Sequence, residues 1–154
     1  MGYWKNDNET NKVLKKGWLS TGDIGEFDGD FLKITDRKKD IIITPGGDNI
    51  SPVKIENDLN KSNFIEQSLV YGDNKPYLIA IIVLSSEHKD VNDKIVQDEI
   101  NKINKNLTKI EKIKKFIIIK DQFTIENGMM TPTLKLKRYK IIKNYKLELE
   151  KLFL

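Results

Sequence analysis

The sequence predicts an α+β fold, in which a small antiparallel or mixed sheet and an N-terminal two-stranded hairpin are packed by about three helices. Two observations lead to this prediction. Short apolar runs such as "FLKIT", "DIIIT" and "YLIAIIVL" have the length of strands and are bounded by Gly, Pro and Asp. Between these runs lie polar segments in which apolar residues recur at helical spacing.

The elements of the first half of the chain follow from these patterns in order. Residues 1–20 are polar and without a sustained period, which predicts a loop. "GDFLKITDRKKDIIIT" predicts two short strands around a charged turn at residues 36–40. "NISPVKIENDL" predicts a helix, because Ser51 is a good N-cap and Pro52 suits the first helical position.

The second half continues with the same alternation. "FIEQSLVYGD" and "YLIAIIVLSS" predict two strands joined by a hairpin-like connection at residues 72–76. "KDVNDKIVQDEINKINKNL" predicts an amphipathic helix, and "KKFIIIKDQF" predicts another strand. An irregular loop then precedes a single C-terminal amphipathic helix in "KRYKIIKNYKLELEKLFL".

The composition fits one globular domain with a heavily charged surface. Of the 154 residues, 38% are apolar and 32% are charged, with a net charge of +4. Only two of the 27 basic residues, Arg37 and Arg138, are arginines, and we interpret the lysine excess as solvated surface. An arginine in such a chain indicates a place where lysine would not serve, because only arginine presents a planar fork of donors.

Several classes of site and location are disfavoured. The chain has no cysteine, which excludes disulfides and thiolate chemistry. A zinc site would have to rest mostly on carboxylates beside the single histidine, His88, so no metal site is predicted. No apolar run approaches the roughly 20 residues of a membrane span, and the N-terminus lacks the apolar stretch of a signal peptide. We expect a cytoplasmic protein, or one that is peripheral on an intracellular membrane.

Three stretches carry residues suited to chemistry. "GWLSTGD" ends in Asp23, whose carboxylate can accept hydrogen bonds from the vicinal hydroxyls of a ribose, or can cap a surface turn. In "DRKKDIIITPGG", Arg37 can clamp hydroxyl or phosphate oxygens. The two glycines of that stretch, Gly46 and Gly47, let a ligand or another backbone approach. A charged turn with a glycine bulge is the alternative interpretation.

The third stretch, "NGMMTPTLKLKR", combines a glycine loop with Lys135 and, three residues on, Arg138. If a helix begins near Lys135, the two cations share one face. Lysine is a compact charge on a long stem and suits a transition state in which negative charge grows on phosphate oxygens. The alternative is a basic first turn of a surface helix, which the helix dipole disfavours slightly.

In this order the segments "GYWKN", "GWLSTGDIGEFDGDFLKITDRKKDIIITPGGDNISPVKIEN" and "TPTLKLKR" resemble the C-terminal part of the AMP-forming acyl-CoA synthetases. The likeness is strongest to their long-chain fatty acid branch. These enzymes belong to the adenylate-forming superfamily, with firefly luciferase and the adenylation domains of peptide synthetases. The resemblance implies a two-step reaction that uses ATP, Mg²⁺ and coenzyme A. A fatty acid carboxylate is first adenylated, and the coenzyme A thiol then displaces AMP.

The resemblance also implies a role for each motif residue. Asp23 would bind the ribose hydroxyls, and Arg37 would assist at the nucleotide. Lys39 matches the hinge position about which a small C-terminal lid rotates between the two steps. Gly46 and Gly47 match the segment that approaches the thiol.

The catalytic lysine of the family has its counterpart in the third stretch. Lys135 matches the lysine that stabilises the adenylation transition state, with Arg138 and Thr131 as supporting residues. Many members carry a glycine before this lysine, whereas this chain has Leu134. Lys137 is therefore a rival, although the spacing to Arg138 favours Lys135.

The resemblance predicts that the chain is part of a larger enzyme. Residues 1–36 would be the tail of a large AMP-binding domain, residues 37–40 the hinge, and residues 41–154 the lid. The phosphate loop and acid tunnel of the family are absent from this sequence, so we expect the chain alone to be inactive. Its partners would be the N-terminal domain, fatty acid and coenzyme A, and membrane association would arise only through the missing part.

Two other functions are left as alternatives. The chain can be the lid of a ligase for another acyl or aryl acid, because the lid carries little of the acid pocket. A basic module for nucleic acid or anionic lipid is the non-enzyme alternative. It lacks interleaved aromatic residues, a recognisable motif and enrichment in arginine, so no nucleic-acid partner is predicted.

Overall fold

The computed structural model describes residues 2–154, which form two compact units. The first unit ends at Lys39 and the second begins at Asp40. Within the described residues, no helix combines the length and the apolar character needed to cross a membrane.

The first unit contains a short helix and two hairpins. Its elements are α1 (Asp7–Val13), β1 (Leu14–Lys15), β2 (Trp18–Leu19), β3 (Asp23–Asp28) and β4 (Phe31–Arg37). The antiparallel pair of β1 and β2 is the predicted N-terminal two-stranded hairpin. The loop predicted over residues 1–20 is wrong, because the Asn6 side chain caps α1 by accepting from the Glu9 amide.

The charged turn at residues 36–40 predicts that the strands at "FLKIT" and "DIIIT" lie beside each other. This prediction is wrong. Instead β4 pairs antiparallel with β3, from Asp23 opposite Arg37 to Asp28 opposite Phe31. The two strands are joined by residues 29–30, and Gly29 has φ +60°. A two-residue loop with glycine at its first position is a hairpin signal, because a tight hairpin turn requires positive φ there. It places "FLKIT" beside the strand before it.

The β3–β4 hairpin carries exposed apolar side chains on its surface. Phe27 and Phe31 are 79% and 80% exposed, and other apolar residues of the hairpin are also accessible. The further exposed residues are Ile24, Leu32 and Ile34. Exposed apolar side chains in this number are typical of a region that packs against another part of a protein.

The second unit is a three-stranded mixed sheet with helices on its faces. Its elements are β5 (Ile42–Ile43), β6 (Asn49–Ile50), α2 (Pro52–Leu59), β7 (Ile65–Tyr71), β8 (Leu78–Leu84), a 3₁₀ turn (Ser86–His88), α3 (Asp93–Asn104), β9 (Ile113–Ile119), α4 (Arg138–Asn144) and α5 (Lys146–Lys151). The sheet order is β7-β8-β9, with β7 antiparallel and β9 parallel to β8. The α+β prediction with a mixed sheet is confirmed, with five α-helices in the described chain where about three were expected.

The central strand β8 decides how the core is divided. All seven of its residues are buried, because both faces of the sheet are covered. Alternate residues of β8 enter two separate clusters, as the two-residue period of a strand requires. Leu78, Ala80, Ile82 and Leu84 pack with α2 and α3, and Ile79, Ile81 and Val83 pack with residues 123–129, α4 and α5.

The single C-terminal helix predicted from periodicity is interrupted at Tyr145. Ile141 in α4 and Leu149 in α5 are both fully buried in the second cluster. Residues eight apart lie within one apolar stripe of an amphipathic helix, so the two helices keep the predicted apolar face across the break.

The end of the chain is tied to the β7–β8 connection by polar contacts. Lys75 Nζ donates to Glu150 Oε2 at 2.6 Å, and Tyr77 Oη donates to the Leu152 carbonyl at 2.7 Å. The hydrogen bond from Lys75 lowers the pKa of Glu150, and the same bond raises the pKa of Lys75. Burial raises the pKa of Tyr71, whose hydroxyl lies 3.4 Å from Glu150 Oε1.

Replacing Glu150 with glutamine should make the free energy of unfolding depend less on pH in the acid range. The pKa of Glu150 is depressed below its ordinary value of 4.5, so its stabilising effect is present above that pH and is lost as the pH falls through the folded-state pKa. We expect Glu150→Gln to unfold at lower urea than the unsubstituted chain at pH 7, and this difference to disappear in strong acid.

The matched control is Glu148→Gln, which removes an exposed carboxylate from the same helix. It should leave the urea midpoint unchanged at both pH values. A difference for Glu150→Gln that persisted undiminished at pH 2 would contradict the role given to this ion pair.

Candidate functional site

Lys135 lies at the exposed end of a tight turn in the second unit. Met130 and Leu136 form an antiparallel bridge at its base. Between them, the Thr131 amide donates to the Lys135 carbonyl at 2.8 Å, and the Lys135 amide donates to Thr131 Oγ1 at 3.0 Å. Thr131 therefore fixes the backbone of Lys135 from both sides, which leaves the lysine side chain projecting from a closed turn.

The helix that follows begins at Arg138 and not near Lys135. The expectation that a helix places Lys135 and Arg138 on one face is therefore wrong. Its physical reason is the turn, which uses the Lys135 amide and carbonyl for hydrogen bonds to Thr131. Lys137 is half-buried and is the N-cap residue of α4, with its amide bonded to the Met129 carbonyl at 2.8 Å.

Leu134 occupies a backbone conformation that suits glycine. Its φ is +58°, and its side chain is 67% exposed. This conformation turns the chain after Leu134, so that the Lys135 amide reaches Thr131 Oγ1 at 3.0 Å and the Lys135 carbonyl accepts from the Thr131 amide at 2.8 Å. A left-handed residue with a branched apolar side chain is uncommon and strained.

Arg138 is buried and forms a forked ion pair with Glu56. Nη1 donates to both carboxylate oxygens, at 2.7 and 2.8 Å, and Nη2 donates to the Val70 carbonyl at 2.6 Å. The side chains of Arg138 and Glu56 are only 11% and 7% exposed. Arginine thus stands where lysine would not serve, as the sequence indicated, because only a planar fork can make these contacts together.

Glu56 also accepts from the Val70 amide at 2.6 Å. Both backbone groups of Val70 on the outer edge of β7 are therefore bonded to side chains. The ion pair joins α2, β7 and the first residue of α4. Sequence reasoning missed Glu56, although a signal was present: it lies among the buried positions Ile55 and Leu59 of an amphipathic helix.

A second contact holds the chain that leads into the lysine turn. The Gln67 amide bonds both backbone groups of Phe123: Nε2 donates to the carbonyl at 3.0 Å, and Oε1 accepts from the amide at 2.7 Å. Asn127 then fixes the next bend by accepting from the amides of Thr124 and Met129. The loop predicted as irregular is therefore held by side-chain hydrogen bonds to its backbone at Phe123, Thr124 and Met129.

The glycine segment forms a compact turn between β5 and β6. The Thr44 hydroxyl donates to the Asp48 carboxylate at 3.0 Å, and the Gly47 amide donates to the Thr44 carbonyl at 2.9 Å. Gly47 has φ +86°, and a Cβ placed there would meet no atom within 4 Å. Both glycines are exposed, but open space lies only beside Gly47, because a Cβ at Gly46 would lie 3.3 Å from Asp48 Oδ2.

The first unit brings Asp23 and Arg37 together. They face each other at the end of the β3–β4 ladder, and Arg37 Nε lies 2.7 Å from Asp23 Oδ1. The guanidinium carries further donors on its two terminal nitrogens. Lys39 is exposed in the turn that ends this unit.

No metal centre is formed by side chains in the described part of the chain. Among residues 2–154, no group of three or more His, Cys, Asp or Glu side chains could hold an ion. The polar groups that the sequence singled out are instead arranged as a carboxylate–guanidinium pair, a glycine turn and a lysine turn.

Breaking the buried ion pair should be costly. Arg138→Met or Glu56→Leu alone leaves a buried charge without its forked partner, so we expect each to lower the free energy of unfolding by about 3–5 kcal/mol. The double variant should lose less than the sum, because it buries neither charge. Urea unfolding of the four proteins measures this coupling.

The matched control is the exposed pair of Asp58 in α2 and Lys61 just after it, with Lys61 Nζ 2.7 Å from Asp58 Oδ1. Lys61→Met should cost no more than about 1 kcal/mol. Additive losses in the Glu56 and Arg138 double variant would contradict a tightly coupled pair.

Replacing Leu134 with glycine should stabilise the lysine turn. Glycine adopts positive φ without a steric penalty, whereas an L-residue with a Cβ pays about 1 kcal/mol there. We expect Leu134→Gly to raise the free energy of unfolding by up to about 1 kcal/mol, and Leu134→Ala, which keeps the Cβ, to give no such gain. A lower urea midpoint for Leu134→Gly would refute the presence of strain.

Comparison with known proteins shows the family. A family model described as the AMP-binding enzyme C-terminal domain matches residues 39–154. A long-chain-fatty-acid–CoA ligase of Mycobacterium tuberculosis is 33% identical over 99% of this chain, which covers 29% of that protein.

Two solved structures share the fold. The adenylation domain of a carboxylate reductase from Mycobacterium chelonae is 30% identical and has a TM-score of 0.89; the match covers 99% of this chain and 26% of that one. The corresponding domain from Segniliparus rugosus, solved with AMP and a co-purified carboxylic acid, is 29% identical with a TM-score of 0.88, again over 99% of this chain and 26% of the other. This chain thus covers 26–29% of the length of these three proteins, and it belongs to the C-terminal domain family of AMP-forming acyl-CoA ligases and related AMP-binding enzymes.

Proposed function

We propose that this chain supplies the mobile lid of an ATP-dependent long-chain fatty acid–CoA ligase. The full enzyme would adenylate a fatty acid carboxylate and then transfer the acyl group to the thiol of coenzyme A. One observation carries the proposal: Lys135 projects from an exposed turn that the Met130–Leu136 bridge closes, two residues before the buried ion pair of Arg138 with Glu56. A cation held on a rigid base suits a charge-stabilising role.

Lys135 is proposed as the adenylation lysine. As the carboxylate attacks the α-phosphate, negative charge grows on phosphate oxygens, and a preorganised ammonium group stabilises this charge without further reorganisation. The exposure of Lys135 supports it over Lys137, which is half-buried and held at the start of α4. Thr131 would support Lys135 through its backbone, and Arg138 through the ion pair beneath the turn.

Gly46 and Gly47 are proposed to approach the thiol in the second step. Their exposed backbone and the open space beside Gly47 support this role, because a side chain at either position would occupy the approach. Since Lys135 lies on a separate turn of the same unit, rotation of the unit can offer each turn in its own step.

Asp23 and Arg37 are proposed to hold the nucleotide. A carboxylate accepts hydrogen bonds from ribose hydroxyls, and the guanidinium fixes that carboxylate at 2.7 Å while keeping further donors for the nucleotide. Mg²⁺ would neutralise charge on the phosphates of ATP. No acidic cluster suited to a metal ion lies within residues 2–154, so we propose that the ion is held by ATP and by residues outside that range.

The proposed division of the chain has residues 1–36 in the large domain, residues 37–40 as the hinge at Lys39, and residues 41–154 as the lid. The boundary between the two compact units, after Lys39, supports this division. The exposed apolar surface of the β3–β4 hairpin supports a partner domain beside the first unit.

The long-chain acid is proposed from the name of the relative in Mycobacterium tuberculosis. A ligase for another acyl acid is the second candidate. It is favoured by the two carboxylate reductase domains, which share the fold at 29–30% identity. The alternatives differ in an acid pocket that lies outside the described residues.

Lys135→Ala in the full-length protein tests the proposal. Adenylation, followed by pyrophosphate exchange, should fall by about 10²–10³-fold, because one charge-stabilising group at the transition state is lost. Thioester formation from supplied acyl-adenylate and coenzyme A should be largely retained.

Lys137→Ala is the control and should leave both half-reactions close to those of the unsubstituted protein. The 154-residue chain alone should form no acyl-CoA above a blank without protein. Equal loss of both half-reactions in Lys135→Ala would argue against a role confined to adenylation.

A further inference from the structure

We infer that Asp73 is a positioning residue for the thioester step, acting through the Gly46–Gly47 turn. This inference deepens the proposed function and rests on it. Asp73 lies on the β7–β8 connection, 30 positions from the strand that it contacts. It touches neither of the glycines, and its effect would pass through the backbone of Ile43.

Two hydrogen bonds join the β7–β8 connection to Ile43. Asp73 Oδ1 accepts from the Ile43 amide at 3.0 Å, and the Asn74 amide donates to the Ile43 carbonyl at 2.8 Å. Both backbone groups of Ile43 on this side are therefore bonded. This is the pattern of a strand neighbour, supplied here by one side chain and one amide.

Ile43 is the residue directly before the glycine turn. Its strand, β5, has only two residues and pairs on its other side with β6, where Ile43 lies opposite Asn49. A two-residue pair is a weak anchor in isolation. The contacts from Asp73 and Asn74 give this strand a second neighbour, so they limit where Thr44, and with it the turn, can lie.

The β7–β8 connection has the rigidity that such a role requires. A Cβ at Gly72 would lie 2.6 Å from Leu78 Cδ2 and 3.0 Å from the Tyr77 carbonyl oxygen. The two ends of the connection are therefore packed closely against each other at Gly72. Asn74 has φ +52°, a conformation that asparagine tolerates better than most residues. Lys75, next in the chain, is tied to Glu150 at 2.6 Å.

A shift of the glycine turn matters for the chemistry proposed for it. Misplacement of a reacting group by about 1 Å can lower a rate by about 10²-fold, because proximity and alignment are lost. The contact from Asp73 is exposed and single, so we expect the thioester kcat to fall by about tenfold when it is removed. The adenylation rate and the KM values for ATP and fatty acid should not change, because the lysine turn has its own anchors.

Three variants of the full-length protein test this inference. Asp73→Ala removes the acceptor for the Ile43 amide, and Asp73→Asn keeps an oxygen there. Asp90→Ala removes an exposed aspartate from a connection elsewhere in the second unit. Each is assayed for pyrophosphate exchange, and separately for single-turnover thioester formation from acyl-adenylate and coenzyme A.

We expect Asp73→Ala to lose the thioester step selectively, Asp73→Asn to restore most of it, and Asp90→Ala to match the unsubstituted protein. Amide hydrogen exchange of residues 43–47 in the 154-residue chain provides a readout independent of catalysis. Exchange should be faster in Asp73→Ala than in Asp73→Asn.

The outcomes separate this inference from the proposed function. If the unsubstituted full-length protein shows neither half-reaction, the proposed function fails, and the role of Asp73 in that reaction fails with it. If both half-reactions are present but Asp73→Ala slows neither, or slows both equally, only the positioning role is overturned. Unchanged hydrogen exchange at residues 43–47 in Asp73→Ala would overturn it as well.

Discussion

The buried pair of Glu56 and Arg138 is the contact on which the arrangement of the second unit depends. It binds both backbone groups of Val70 and so closes the outer edge of β7. It also joins α2 to the residue at which α4 begins. A buried ion pair adds little net stability compared with apolar packing, but a broken one leaves an uncompensated charge. The pair therefore selects one arrangement of these elements more than it strengthens the fold.

In the second unit, the buried core and the turns that carry the proposed functional residues are separate parts. The apolar strand β8 and the clusters on its two faces form a core that carries no reactive group. The lysine and glycine turns lie outside it, and each is held at its base by contacts to β7 or to the connection that follows β7. Turns placed on a rigid sheet would keep their geometry if the unit moved as one body, as the proposed lid requires.

Much of the fold was predictable because its signals are local. The periods in "PVKIENDL" and "DKIVQDEINKIN" predicted α2 and α3, and the apolar run "LIAIIVL" predicted β8. The errors arose where local signals compete. The Gly-Asp turn at residues 29–30 pairs "FLKIT" with the strand before it, and the charged turn at residues 36–40 does not pair it with "DIIIT". In the C-terminal segment, Ile141 and Leu149 lie on one apolar stripe on both sides of the break at Tyr145, so the hydrophobic period does not reveal the break.

The family, the elements of residues 41–119, and the residues that carry charge or lack side chains at the turns follow from the sequence alone. The partners of these residues follow only from the packing of distant segments. Arg138 meets Glu56 across 82 positions, and Ile43 meets Asp73 across 30. Such contacts produce no periodic pattern in the sequence, because they depend on how whole helices and strands pack. The lysine turn likewise took its form from Thr131 and the left-handed Leu134, since a turn is settled by hydrogen bonds that close only once its ends are held together.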